Sequence, residues 1–368
     1  MTTDVAVNLL WCRPGKVGGS EQYLARQLAG LSTVGHPGFN VAVYAPRGFA
    51  AAHGELSGLR IVEHTSNSAN RIARIVRENT WLAARASGAG ITHHGGGTVP
   101  FRTNGATILT VHDVQYLTYP DYFSRARLAY LSYMMPRSLR RADAIAVPSA
   151  YVRGTLIERF GLDPACVHVV VHGIERVDRA RIDVDAARKR FGLGEAPYFI
   201  YPAITHPHKN HAFLVDLLAG PWRASGIELV FIGGEGRAHA ELLGKVAASG
   251  VAERIRFTGH VGATDRDALI AGSSAVLFPS EYEGFGAPVA EAMALGVPVV
   301  ASDRASLPGV VGDGGLVLPL DPDAWADVPT RIEEHRATLI ASGTTRASAF
   351  TLEASGRDLL RVYEGFAR

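Results

Sequence analysis

The stretch Ser280–Ser302, SEYEGFGAPVAEAMALGVPVVAS, decides how the chain is read. Glu283 and Glu291 have seven residues between them, including Gly284, Gly286 and Pro288. The apolar run SAVLFPS ahead of them has strand length and ends at Pro279. The run VPVVAS behind them is a second strand. Between the two strands, Pro288 suits the first turn of a helix, and Gly296 with Pro298 suits its end. Glu283 therefore falls on the loop, and Glu291 lies about one turn inside the helix. The helix N-terminus between them offers unpaired N–H groups to an anion.

The same strand–loop–helix grammar extends outward in both directions. In the first half, DVAVNLL, NVAVYA, LRIVEH, GITHH, ATILTVH, DAIAVPS and VHVVVHG read as strands. In the second half, YFIYPA, IELVFIG, RIRFTG, SAVLFPS and VPVVAS do so. Amphipathic segments such as SEQYLARQLAGL, HAFLVDLLAG, HAELLGKVAASG and DRDALIAGS lie between them, and Ser20 is placed to cap the first. Alternation of this kind predicts parallel sheets covered on both faces. The pattern runs twice and lapses in the charged segment RVDRARIDVDAARKRFGLGEAP, which predicts an interdomain junction. The expected division is 1–180, 181–350 and a C-terminal helix at 351–368 packing back on the first domain. Ligands of open α/β sheets bind at the carboxyl ends of the strands. The chemistry is therefore sought in the loops there, facing a cleft between the two sheets.

Bulk properties agree with a large globular enzyme-sized chain. The 368 residues are 47% hydrophobic and 20% charged, which excludes a disordered chain. Apolar runs are far shorter than a bilayer span, and the N-terminus reads as a first strand rather than a leader. Cys12 and Cys166 give no disulfide framework, so a cytoplasmic setting is expected. Residues 1–180 carry 19 Lys and Arg against 12 Asp and Glu, and the remainder 18 against 23. The first half is thus basic and the second acidic.

Four further loops carry candidate residues. Gly18-Gly19 follow the first strand and open a helix, which suits close approach of a phosphate; a tight turn also accounts for them. His112 and Asp113 directly follow the strand ATILTV. A histidine there can donate a hydrogen bond to a substrate oxygen or move a proton, or simply cap a turn. Lys209, just ahead of a helix, supplies a point charge for a phosphate. His206, His208 and His211 around it lack the companions of a zinc site. Gly233, Gly234 and Gly236 lack the spacing of a dinucleotide fingerprint and read as a close-approach turn.

Together these features suit a nucleotide sugar. Carboxylates accept hydrogen bonds from vicinal hydroxyls at its two ends, while backbone N–H groups and Lys209 hold the diphosphate between them.

At these residues the chain resembles the retaining glycosyltransferase family 4, which has the GT-B fold of two Rossmann-like doubly wound domains facing a central cleft. The segments that carry the resemblance are PSEYEGFGAPVAEAMALGVPVVAS, TVHDVQYLTYPDYF, GGSEQYLARQLAGL, YPAITHPHKNHAFL and FTGHV, in the family's order. The resemblance implies a donor site of Gly18, Gly19, Lys209, Val261, Glu283, Gly284, Phe285, Gly286 and Glu291. In it Glu283 would hold the sugar hydroxyls, Glu291 the ribose, and the Phe285 and Gly286 N–H groups would lie near the diphosphate or the sugar. Gly19 and Lys209 would meet the leaving phosphate, with His112 beside the sugar. His112, Lys209 and Glu283 would carry the catalysis, with no metal and no cofactor beyond the nucleoside-diphosphate sugar, GDP-mannose being the first choice. The acceptor would be a glycan, a lipid-linked or a small molecule held by the first domain. No nucleic acid partner is expected.

Two departures stand out. Many members have an arginine where this chain has Ala203, and another where it has His208. The basic, aromatic segment RARLAYLSYMMPRSLRRADA also fits peripheral contact with the inner membrane face, or an ordinary helix with its aromatics turned inward. The competing functions are a nucleotide-sugar epimerase, a sugar phosphorylase of the same fold and a non-catalytic nucleotide-sugar-binding subunit. A nicotinamide dehydrogenase is disfavoured by the missing glycine spacing.

Overall fold

The computed structural model describes residues 2–14 and 18–367. The chain divides into two compact units. The first runs to Gly173 and takes up the chain again from Phe350; the second holds Ile174–Ala349.

The first unit is built on seven parallel strands: β1 (Thr3–Asn8), β2 (Phe39–Pro46), β3 (Arg60–His64), β4 (Ile91–His94), β5 (Ala106–Thr110), β6 (Ala144–Val147) and β7 (Val167–Val169). Their order is β3-β2-β1-β4-β5-β6-β7, with Val5 opposite both Val41 and Ile91. The order reverses between β1 and β4, so the loops at their carboxyl ends splay apart and leave a crevice. Continuous apolar runs are needed because both sheet faces are covered: Val5, Val7, Val43 and Ile108 are buried against Leu24 and Leu28 of the helix Gly19–Val34.

The helix Leu352–Glu364 completes this unit by crossing the helix Gly19–Val34. Gly30 and Gly356 meet at the crossing, where a Cβ on either would collide with the other helix's backbone. Tyr363 then reaches into the sheet, its hydroxyl 2.9 Å from Nδ1 of His93.

The second unit has six parallel strands: β8 (Tyr198–Pro202), β9 (Glu228–Ile232), β10 (Ile255–Gly259), β11 (Ala275–Phe278), β12 (Val299–Ser302) and β13 (Leu316–Leu318). Their order is β10-β9-β8-β11-β12-β13. The reversal falls between β8 and β11. Those are the strands whose loops carry Lys209 and Glu283.

Four expectations change. The charged segment at 176–197 is part of the second unit rather than a junction. Arg179 hydrogen-bonds the carbonyls of Leu295 and Ala271, and the helix Val184–Arg190 packs on the helix Ala263–Ala271. Ser20 does not cap the first helix. Gly18 holds that position at φ 60° without a side-chain bond. The segment at 125–141 is a helix, but it turns Met134, Met135, Ser138 and Leu139 inward, leaving Tyr133 64% exposed. Finally β13 was not expected: three residues with half-buried side chains leave no alternating signal.

Candidate active site

In the second unit the loops after β8 and β11 are locked together. Backbone N–H of Glu281 donates to the His208 carbonyl at 2.8 Å. Tyr201 donates to the Lys209 carbonyl at 2.8 Å and lies 2.8 Å from the Ser280 hydroxyl. Ser302 in turn donates to the Ser280 carbonyl at 2.5 Å. Burial, then the nearby Glu283 charge, pushes the Tyr201 phenol well above its ordinary value, so it stays a donor.

This frame brings Lys209 and Glu283 into an ion pair, Nζ to Oε1 at 2.6 Å, with side chains only 18% and 12% exposed. The ammonium also sits 5.7 Å from the Phe278 ring centroid. Burial and then Lys209 lower both His208 and His211 to about 3, keeping these rings neutral beside the pair. His206 is lowered by burial, Lys209 and Arg237. The charge of Arg237 therefore reaches this loop, a cation that sequence reasoning overlooked.

Gly286 stands at φ 91° at the head of the helix Ala287–Ala294. A side chain there would be strained, and its Cβ would approach Leu307 Cδ2 to 2.8 Å. The loop is fixed from behind by Ser306, whose hydroxyl faces the carbonyls of Glu283 at 2.9 Å and Phe285 at 3.0 Å. Sequence reasoning missed Ser306, because a serine ahead of Leu-Pro looks like a local helix cap. It makes no such cap bond.

Glu291 is buried on the same helix. Its charge acts on Arg266 and Asp267, which bond each other at 2.8 Å. Val261 lies in the short connection after β10. A cavity of about 270 Å³ opens at the ends of β8, β9 and β10, lined by Thr205, Phe231, His239 and Phe257 among others. Gly233 and Gly236 run so close to Ala203 and Thr205 that a Cβ on either would collide with that backbone.

In the first unit His112 follows β5. Its Nε2–H donates to the Gly95 carbonyl at 2.8 Å, leaving Nδ1 as the lone-pair nitrogen of the neutral ring. Burial lowers its pKa, against the opposing effects of that bond and of Asp113. The rings of Trp11 and Tyr23 hold it at 5.7 and 5.6 Å. Gly18 and Gly19 meet open space, nothing lying within 4 Å of a Cβ built on either. Residues 15–17 of their loop lie outside the described residues. Glu21 ties the loop's near side: Oε2 accepts from the Arg13 N–H at 3.3 Å and Oε1 from His53 Nε2 at 3.0 Å. Among the described residues no group of three or more His, Cys, Asp or Glu side chains is placed to hold a metal. Nor is any helix among them long and apolar enough to cross a membrane.

Two Rossmann-like folds in tandem, each with polar loops at a topological switch point, define a two-domain α/β architecture. Residues 17–177 match the Glycosyltransferase Family 4 model, and residues 196–334 match the model for glycosyl transferases group 1. The chain is 30% identical to O-antigen chain mannosyltransferase B of Escherichia coli over 276 residues, 72% of each protein. It is 33% identical to a D-inositol 3-phosphate glycosyltransferase of Salinispora tropica, over 60% of this chain and 51% of that one. The fold matches the structure of HepE from Anabaena in complex with UDP and glucose, with a TM-score of 0.77 and 18% identity over 99% of this chain and 100% of that chain. This chain belongs to glycosyltransferase family 4 and has the GT-B fold.

Proposed function

We propose that the chain is a retaining, metal-independent transferase that moves a hexose or deoxyhexose from a nucleoside-diphosphate sugar to an acceptor hydroxyl. The observation that carries this is the 2.6 Å ion pair of Lys209 and Glu283 beside the N-terminus of the helix Ala287–Ala294. A cation, a carboxylate and backbone N–H groups at a helix N-terminus, on two joined loops, match a leaving phosphate next to a sugar diol. On donor binding the Lys209 ammonium turns from Glu283 to the β-phosphate, and Glu283 accepts hydrogen bonds from the sugar hydroxyls. The N–H groups of Phe285 and Gly286 face the diphosphate. The nucleoside lies in the cavity at the ends of β8, β9 and β10.

The bond from the anomeric carbon to the β-phosphate oxygen breaks as the acceptor oxygen bonds to the same face. The acceptor's proton passes to the departing phosphate. No second protein carboxylate is then needed. Charge spread on the diphosphate is what the site stabilises. His112, neutral with Nδ1 open to a donor, accepts a hydrogen bond from a sugar hydroxyl.

GDP-mannose is the first donor to try, supported by the likeness to O-antigen chain mannosyltransferase B. A cytoplasmic enzyme touching the inner membrane face is supported by exposed Phe101 and Tyr133 with Arg137 over the Phe101 ring at 4.2 Å.

The test is calorimetric titration with GDP, UDP, GDP-mannose and UDP-glucose. NMR of the anomeric proton in the product then follows. An α-linked product from an α-linked donor is expected. Inversion, or no binding by any nucleotide, overturns the reading. Epimerised donor in the absence of acceptor would favour the epimerase instead.

A further inference from the structure

The first unit contains a cavity of about 360 Å³ whose lining includes His112 together with Arg71, Arg74 and Arg127. That volume lies within the range of small-ligand sites. Among the lining residues Asp113 is the one acid, so three guanidiniums face one carboxylate. Among the described residues neither Arg71 nor Arg127 makes an ion pair. Arg71 instead lies 6.0 Å from the Tyr130 ring centroid and Arg127 5.1 Å from that of Phe123. Desolvation and the neighbouring Arg71 lower the pKa of Arg127 against the opposing charge of Asp113, so the two guanidiniums repel one another.

Two buried donors on lining residues lack a hydrogen-bond partner: Nε1 of Trp11 and Nε of Arg74. The nearest counter-charge to Arg74 is Glu78, at 3.8 Å, beyond hydrogen-bond reach. Both atoms are closed off from solvent, so the charge presented to the cavity is that of the arginine guanidiniums lining it. Indole and guanidinium groups are donor-only. The complement of such a lining is a group that only accepts and carries negative charge, and the planar fork of arginine matches a phosphate. Arg71 and Arg74 sit on the helix Arg71–Arg77, which runs on into a π-helical turn, Glu78–Leu82. Such turns concentrate at functional sites.

We infer that this cavity holds a phosphate group of the acceptor, gripped by the guanidiniums of Arg71, Arg74 and Arg127. The inference rests on the transferase reading for the word acceptor, but the phosphate site stands or falls by itself. The phosphate belongs either to a soluble sugar phosphate or to a polyprenyl phosphate carrier.

The test is calorimetric titration of the full chain with inorganic phosphate, with and without saturating GDP. Wild type, Arg71→Gln, Arg127→Gln and Lys209→Gln are compared. Arg71 and Arg127 are solvent-exposed, so these variants fold, and an unchanged thermal midpoint verifies it. With saturating GDP occupying the Lys209 site, phosphate affinity should fall at least tenfold in each arginine variant and stay within twofold in Lys209→Gln. No phosphate uptake by wild type, or equal affinity in the arginine variants, overturns the site. Failure of GDP to bind while phosphate does would overturn the transferase reading and leave the phosphate site standing. Glucose 1-phosphate and undecaprenyl phosphate in detergent micelles then compete against phosphate. Displacement by the first alone assigns a soluble acceptor, and displacement by the second alone a lipid-linked one. If neither displaces phosphate, the cavity does not serve an acceptor.

Discussion

The two units share a parallel, doubly wound plan yet treat charge in opposite ways. In the second unit the proposed catalytic cation is already paired, Lys209 to Glu283, and their loops are braced by Tyr201, Ser280 and Ser306. In the first unit Arg71 and Arg127 line a cavity whose described lining has Asp113 as its one acid, neither forms an ion pair with a described residue, and the nearby His93 and His112 rings are neutral. A prepaired cation is one that ligand binding must re-partner. Cations left unpaired around a cavity repel each other until an anion arrives. The first arrangement suits a group whose charge develops during reaction, the second a group that is charged throughout.

The sharpest way to break this contrast is at Lys209. Lys209→Gln should lower kcat by about 10²–10³, the scale of removing one group aimed at developing charge. Wild-type kcat in steady-state assays with GDP-mannose would end the assignment. It also leaves the Glu283 carboxylate largely buried without its partner, so the thermal midpoint should fall as well.

In the first unit the largest effect should be on stability. Gly356→Val places a side chain against the backbone of Gly30, and overpacking of this kind costs about 1–3 kcal/mol. Urea denaturation should show the loss while nucleotide affinity, proposed to reside in the second unit, stays unchanged.

Glu283→Gln should cut turnover by about tenfold or more, since a hydroxyl contact tightened in the transition state is weakened. Glu291→Ala should mainly raise the donor KM. Equal effects on kcat from both would show that the two acids do not divide the donor as proposed.

Ser306→Ala removes the hydroxyl behind the Glu283 loop, a loss of about 1 kcal/mol. A several-fold fall in kcat/KM is expected, restored by Ser306→Thr.

The smallest effect is a matter of pH. Burial lowers His93 and His94 to about 3, against about 6.5 in the unfolded chain. These rings are neutral in the native state, while the unfolded chain takes up protons below about pH 6.5. Their contribution to stability is complete above that pH and is lost as pH falls toward 3, by up to about 1.4 kcal/mol per pH unit for each ring. His93→Gln should flatten the first unit's urea midpoint between pH 6.5 and 4, and an unaltered slope would refute the assignment.

Strand positions were legible from short Val- and Ile-rich runs, most clearly where both faces of the strand are covered. All seven strands of the first unit and five of the second were read from their apolar runs, the partly exposed β3 and β10 at the sheet edges included; β13 was not. The Glu-to-Glu stretch was legible because its glycines and proline obey local rules of loop and helix. Ser306 and Arg237 were not, since one imitates a helix cap and the other follows Glu235 in a glycine loop as an ordinary surface charge would. Their roles depend on which loops lie side by side.

The order of strands and helices, the helix N-terminus at Gly286 and the identity of the charged residues were determined by sequence alone, because each follows from periodicity and short-range sterics. Tertiary structure decided the rest. Lys209 and Glu283 meet only because β8 and β11 are neighbours in the sheet. The arginines at 71, 74 and 127 share one cavity through contacts between segments distant along the chain. Electrostatic interaction depends on separation in space, and the linear order of residues does not supply that separation.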